Sequence, residues 1–195
     1  VGLITYMRTD STRISDEAKQ AAAEFITSRY GEKYLPEKPR VYKSKSSSQD
    51  GHEAIRPTMP NVVPQDIKAS LTSDQYKLYK LVWERFIASQ MANAILDTVS
   101  ADINAKEYTF KASGYTVRFP GYTVLYEESK DEETEKQGSL PDLKKQDPVQ
   151  LDSLSGNQHF TQPPAHYTEA SLIKSLEELG IGRPSTYAPT ITTIV

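Results

Sequence analysis

The hydrophobic period of this chain changes twice along its length, and that change limits the fold more than any other feature. Up to about Ala92, apolar residues recur at helical spacing; from Val99 they alternate with polar ones; beyond Pro163-Pro164 the helical spacing returns. The predicted order is a helical module, a β-module and the start of a second helical module, an α+β chain divided near residues 92 and 164. There is no internal repeat. A chain of 195 residues allows one ordinary domain or two small ones. It can bury roughly two-thirds of its unfolded surface, enough for a real core.

Local signals refine this order. Ser15 followed by Asp16 and Glu17 predicts a helix start, with Ala18, Ala22, Phe25 and Ile26 on one face and Gly31 as the stop. Residues 36–48 are rich in Pro, Lys and Ser and predict an exposed loop. Thr72 and Gln75 predict a capping box, with Leu71 and Tyr76 as a hydrophobic staple; the apolar stripe is Leu78, Tyr79, Val82 and Phe86. Four short strands are expected over 99–105, 108–112, 115–119 and 122–126, with breaks at Gly114 and Pro120-Gly121. Val149, Leu151 and Leu154 mark a further strand. Thr168 caps a helix bearing Leu172, Ile173, Leu176 and Leu179, and Gly180 ends it. Residues 180–186 then turn into another helix.

Composition excludes several classes. Charged residues are 25% and hydrophobic residues 37%, the balance of a soluble globular chain. No apolar run approaches the roughly 20 residues that cross a bilayer, and the first residues lack the features of a signal peptide. With no cysteine, the chain has no disulfide, thiol nucleophile or cysteine zinc site, which fits a reducing compartment. Val1 opens straight into an apolar run and Val195 stops inside one, so we expect a piece of a longer protein. The net charge of -3 is unevenly spread: residues 127–142 hold seven acids and two bases, leaving 21 bases and 19 acids elsewhere. An acidic loop on a mildly basic chain permits phosphate contacts and equally describes a solvated surface.

The densest set of functional groups is Thr5-Tyr6-Met7-Arg8-Thr9-Asp10-Ser11-Thr12-Arg13. A tyrosine phenol attacks phosphorus or carbon once its proton is removed, and at a reference pKa of about 10 it needs help to lose it. Arg8 would favour the phenolate and grip a phosphate through two hydrogen bonds. In an extended segment Tyr6 and Arg8 share a face. The alternative is ordinary: a tyrosine that packs with one satisfied hydroxyl, a surface arginine, and a helix-initiating turn at Asp10 and Ser11.

Residues 2–12, Gly-Leu-Ile-Thr-Tyr-Met-Arg-Thr-Asp-Ser-Thr, closely resemble the active-site tyrosine motif of type IA DNA topoisomerases. Gly51-His52-Glu53-Ala54-Ile55-Arg56-Pro57-Thr58 resembles that family's histidine motif. Residues 167–173 and 180–188, the latter containing Gly182-Arg183-Pro184-Ser185-Thr186, resemble its later DNA-binding motif. Met7 and the Arg-Pro-Ser-Thr run look like the bacterial topoisomerase I branch rather than the topoisomerase III branch. The three motifs agree in order and spacing; the middle of the chain matches only in character.

The resemblance implies a helical domain carrying the active-site tyrosine over 1–92. A β-rich arch segment over 93–164 and the start of a helical, DNA-binding base domain over 165–195 would follow. It implies that Tyr6 attacks a strand, keeps the 5′ end as a phosphotyrosine and releases a 3′ hydroxyl, without ATP. Arg8 would stabilise charge on the phosphate, while His52 and Arg56 would contact DNA; as residues alone, a lone histidine is more often a structural imidazole and Arg56 an ion-pair partner. Arg183, Ser185 and Thr186 would hold single-stranded DNA at a turn whose free N–H groups and Pro184 at a first helical position favour anions. Without the resemblance that turn is an ordinary helix–turn–helix corner. Exposed tyrosines would stack bases.

The family's Mg²⁺ is implied to sit in a Toprim domain outside this chain, so no metal is expected within these residues. Expected partners are single-stranded DNA and the remaining domains of the same protein, not a membrane. The implied location is the bacterial cytoplasm, with the nucleoid. The chain alone is expected to be inactive in relaxation and to bind single strands weakly. The rival readings are a non-catalytic single-strand-binding module and an interaction protein with no nucleic-acid role.

Overall fold

A computed structural model describes residues 2–9, 11–42, 52–126, 140–141 and 143–194, in two compact units over 1–149 and 150–195. In the first unit, α1 spans Asp16–Tyr30. Ser15 caps it by accepting from the Ala18 amide, Asp16 and Glu17 lie at the positive end of the helix dipole, and Gly31 ends it at φ 96°. The short α2, Pro64–Ile67, leads to α3, Ser73–Gln90, which opens with the full Thr72–Gln75 capping box. Residues 36–42 are irregular, as expected; the rest of that predicted loop lies outside the described residues.

The core lies between α1 and α3. Ala18, Ala22 and Ile26 face Tyr79, Trp83, Phe86 and Ile87, with Ile14 and Met91 at the ends. Phe25 meets the Trp83 indole edge-on, ring centroids 5.4 Å apart. The polar tips of the buried rings are satisfied: Tyr79 donates to the Val62 carbonyl at 2.7 Å, and Trp83 Nε1–H to Pro60 at 2.9 Å. The expected α3 stripe needs correction. Leu78 is 53% exposed, and the buried face runs through Tyr79, Trp83, Phe86 and Ile87. Neighbours on a helix are about 100° apart, so burying Tyr79 and Trp83 turns Leu78 outward.

The β-module is one long hairpin. β1, Ile95–Ala105, pairs antiparallel with β2, Tyr108–Phe119, Ala105 opposite Tyr108 and Ile95 opposite Phe119. The expected break at Gly114 is not there: Gly114 lies within β2, opposite Val99. The chain reverses at Lys106-Glu107, between the first two expected strands, with Lys106 at φ 56°. The expected strand over 122–126 is also absent. Residues Gly121–Val124 form a single 3₁₀ turn that returns Leu125 to the helical core. A Cβ on Gly121 would lie 2.4 Å from the Asn93 carbonyl, so only glycine permits this approach at φ 50°. Tyr34 and Phe119 pack ring to ring at 4.9 Å, and the Ala92 amide donates to Tyr34 O at 2.7 Å, fastening the hairpin root to the helical module. The acidic stretch 127–142 lies outside the described residues except for Leu140 and Pro141.

The expected strand at 149–154 is not formed: Val149, Leu151 and Leu154 are exposed and irregular. No described strand pairs with this segment, and a strand needs a ladder for its amides. In the second unit, α4, Glu169–Glu178, starts with a Thr168–Ser171 capping box. It ends in a Schellman motif: Ile181 N donates to Leu176 O and Gly180 N to Glu177 O, with Gly180 at φ 71°. Leu172, Ile173 and Leu176 are half-buried, while Leu179 is exposed. α5 spans Tyr187–Ile194. Among the described residues, no helix is long and apolar enough to cross a membrane.

The corrected face of α3 has a direct test. Trp83→Ala should cost about 3–5 kcal/mol, the range for an emptied aromatic core site. Leu78→Ala should change stability by no more than about 0.5 kcal/mol. Denaturant unfolding of both variants checks the assignment.

Candidate active site

The site is built where two segments far apart in sequence are laced together. Residues 2–5 run antiparallel to 54–58. Ile4 and Pro57 form a bridge, Thr5 N donates to Arg56 O at 2.9 Å, and Thr58 N donates to Leu3 O at 3.0 Å. The Thr5 hydroxyl works in both directions, donating to Ala54 O at 2.8 Å and accepting from Arg56 N at 3.0 Å. Leu3, Ile4 and Ala54 rest on the helical core. A second lacing follows further along: Ser11 Oγ donates to His52 O at 2.8 Å, and Ala54 N donates to Arg13 O at 2.8 Å.

Tyr6 and Arg8 lie on the span between the two lacings. Tyr6 is 78% exposed and Met7 is similarly open to solvent. The Arg8 amide donates to Tyr6 O at 2.9 Å, closing a three-residue turn about Met7. The condition under which Tyr6 and Arg8 would share a face, an extended segment, is not met across this turn. The Arg8 side chain reaches His52, Nη1 to Nε2 at 3.3 Å. A guanidinium only donates, so in this contact Nε2 is the acceptor.

Arg56 is committed to a carboxylate. Its Nε and Nη2 donate to Glu53 Oε1 and Oε2 at 2.9 and 3.0 Å, and Nη1 donates to Pro57 O at 3.0 Å. Its side chain is 12% exposed and that of Glu53 29%. Of the two readings of Arg56, the geometry supplies the ion pair. Glu53 Oε1 also accepts from Ser15 N at 2.9 Å, at the start of α1. Burial pushes the Glu53 carboxyl up, but the hydrogen bonds from Arg56 and Ser15 outweigh it, and the pKa lies below its ordinary value.

In the second unit, Arg183, Ser185 and Thr186 are placed together in one turn, Arg183 and Ser185 flanking Pro184. Thr186 Oγ1 accepts from Arg183 N at 2.8 Å, and the Thr186 and Tyr187 amides both donate to Arg183 O. Pro184 therefore lies in a capped turn ahead of α5 rather than at its first position. Arg183 Nη1 donates to Gly182 O at 2.6 Å. Among the described residues, no three His, Asp or Glu side chains gather to hold a metal ion.

Sequence reasoning placed Thr5 and Ser11 in the functional cluster and Glu53 in the histidine motif, but gave none of the three a structural part in the site. Glu53 had one available signal, an acid three residues before an arginine. A family model described as DNA topoisomerase matches residues 1–195. The chain is also similar to full-length topoisomerase I from Thermotoga maritima, at 36% identity and a TM-score of 0.76, over 100% of this chain and 30% of that one. The chain belongs to the bacterial type IA DNA topoisomerases. It spans 30% of the length of that relative. The α+β order of the fold agrees with this membership.

The Glu53 pair gives a pH signature. A depressed carboxylate pKa adds stability that is fully present above the unfolded value of about 4.3 and is lost as pH falls through the lower folded value. Glu53→Gln should cost about 1–2 kcal/mol at neutral pH, the low end for a charged hydrogen bond that is partly screened. Between pH 6 and 3 the variant should lose less stability than the parent chain in denaturant titrations.

Proposed function

We propose that this chain supplies the nucleophile-bearing part of a single-strand DNA cleavage site. The observation that carries the reading is an exposed tyrosine on a span anchored at both ends, beside an arginine held against a histidine. Tyr6 Oη attacks a backbone phosphorus and gives up its proton. The bond to the 3′ oxygen breaks, that oxygen leaves as a hydroxyl, and the 5′ side stays esterified to the tyrosine. The reverse attack by the 3′ hydroxyl reseals the strand. One ester replaces another in each direction, so no ATP is required.

Arg8 donates to the non-bridging oxygens as their charge grows, and His52 orients Arg8 and contacts the scissile or adjacent phosphate. Arg56 serves the DNA-binding surface from its pair with Glu53. Arg183, Ser185 and Thr186 bind the backbone of a single strand. Mg²⁺ would be held by a Toprim domain outside these 195 residues, and the roles of Tyr6, Arg8 and His52 do not pass through it. In the intact enzyme the helical domain would be residues 1–92, the arch segment 93–164, and the start of the base domain 165–195. The result of strand passage through the gap would be relaxation of negatively supercoiled DNA in the bacterial cytoplasm, at the nucleoid. The chain alone, which lacks the Toprim part, would neither relax DNA nor bind single strands tightly.

In the intact enzyme containing this chain, Tyr6→Phe should abolish the covalent adduct with a single-stranded oligonucleotide. Arg8→Ala should slow adduct formation by about 10²- to 10³-fold, the range for removing one donor from a developing anion. An adduct that persists in Tyr6→Phe overturns the reading and leaves an exposed aromatic that merely stacks bases. Binding of oligonucleotide by the intact enzyme should weaken steeply with salt. Salt-independent binding would favour a protein with no phosphate contacts.

A further inference from the structure

Glu53 has no place in the chemistry of strand cleavage at Tyr6, yet its carboxylate ties together both supports of the site. Its two oxygens accept three hydrogen bonds: Ser15 N and Arg56 Nε on Oε1, and Arg56 Nη2 on Oε2. Ser15 and Arg56 belong to different supports of the Tyr6 span. Ser15 precedes α1, just beyond the second lacing at Ser11 and Arg13. Arg56 gives its backbone N–H and C=O to Thr5, immediately before Tyr6. The backbone around Glu53 is held as well, since His52 O accepts from Ser11 and Ala54 N donates to Arg13.

We infer that Glu53 is a positioning residue for strand cleavage, bracing both supports of the Tyr6 span so that His52 and Arg8 meet the same phosphate. The inference rests on the proposal that Tyr6 cleaves DNA. A carboxylate suits the task because it accepts from a planar guanidinium on two oxygens and still accepts an amide. A neutral amide in its place has one acceptor oxygen, so it cannot receive both Arg56 donors and Ser15 N in the same geometry. The Arg56 guanidinium, little exposed, would turn toward other acceptors and shift the backbone that holds Thr5. Errors of about 1 Å in such a site cost up to about 100-fold in rate, while binding to the remaining phosphate contacts is untouched. A brace of this kind acts on the reacting geometry rather than on affinity.

The test uses the intact enzyme containing this chain, a fluorescent single-stranded oligonucleotide, and two readouts, the single-turnover rate of covalent adduct formation and the dissociation constant. Glu53→Gln should slow adduct formation by about 10- to 100-fold while the dissociation constant stays within about twofold of the parent. In a His52→Ala background the same change should add little, because the brace acts through His52 and Arg8. Should Glu53→Gln fail to fold, Glu53→Asp carries the same test: it keeps the charge but is one methylene too short to reach Ser15 N and Arg56 together. A parental cleavage rate in the folded variant, an equal loss of affinity, or full additivity with His52→Ala overturns the inference. Tyr6→Phe run in parallel separates the two claims. Loss of its adduct beside an unaffected Glu53→Gln sinks only the brace, whereas an adduct surviving in Tyr6→Phe sinks the cleavage reading and the brace with it.

Discussion

Hydrogen bonds between residues 38 to 56 positions apart in the chain hold the site together, and the rest of its geometry depends on them. Bringing such distant segments into register carries a loop-closure cost and the entropy of fixing both backbones. A few hydrogen bonds at roughly 1 kcal/mol each do not cover that cost alone. The remainder comes from beneath, where Leu3, Ile4 and Ala54 sit on the α1–α3 core and bring its apolar burial to bear on the pairing. The site is therefore only as well placed as the contact between Trp83, Phe25 and the small face of α1. Alanines at 18 and 22 let that contact be close.

The hairpin follows a different logic. Two strands alone are marginal in water, and most residues of this pair are exposed. One face carries Val99, Ala101 and Ile103 opposite Gly114, Ala112 and Phe110 in turn. What it does have is a firm root, where Tyr34, Phe119, Gly121 and the Ala92 backbone interlock, with Arg40 donating to Met91 O at 3.2 Å.

Local chemistry is readable from the sequence; partners distant in the chain are not. Ser15, Thr72 and Thr168 each announce a helix because a side-chain oxygen beside an exposed amide is a short-range arrangement, and all three act as caps. The break expected at Pro120-Gly121 does end β2, but a 3₁₀ turn follows it rather than a strand, and Gly114 misleads outright. A glycine is written the same way whether it turns a chain or lets another backbone come close, and only the tertiary contact decides. Leu78 reads as inward because hydropathy ignores which neighbours are larger; two aromatic rings take the buried face. In the site, the clustering around Tyr6 is evident from the residues, but the commitment of Arg56 to Glu53 is not. Glutamate and arginine three apart in a loop are only a weak signal, because outside a helix that spacing does not by itself bring them together.

The turn at Met7 shows why this arrangement suits a reactive tyrosine. A residue within a regular ladder has its side-chain direction set by the pleat and shares the stability of the ladder. Between Thr5 and Ser11 the backbone leaves the ladder and closes on itself through the Arg8 amide, which frees the direction of Tyr6 from the strand. Thr5 before the span and Ser11 after it are fixed by side-chain hydrogen bonds. Exposure of the phenol then leaves the core intact, because Tyr6 is not among the described residues that build it. Stability and the reactivity proposed for Tyr6 thus fall to different residues a few positions apart.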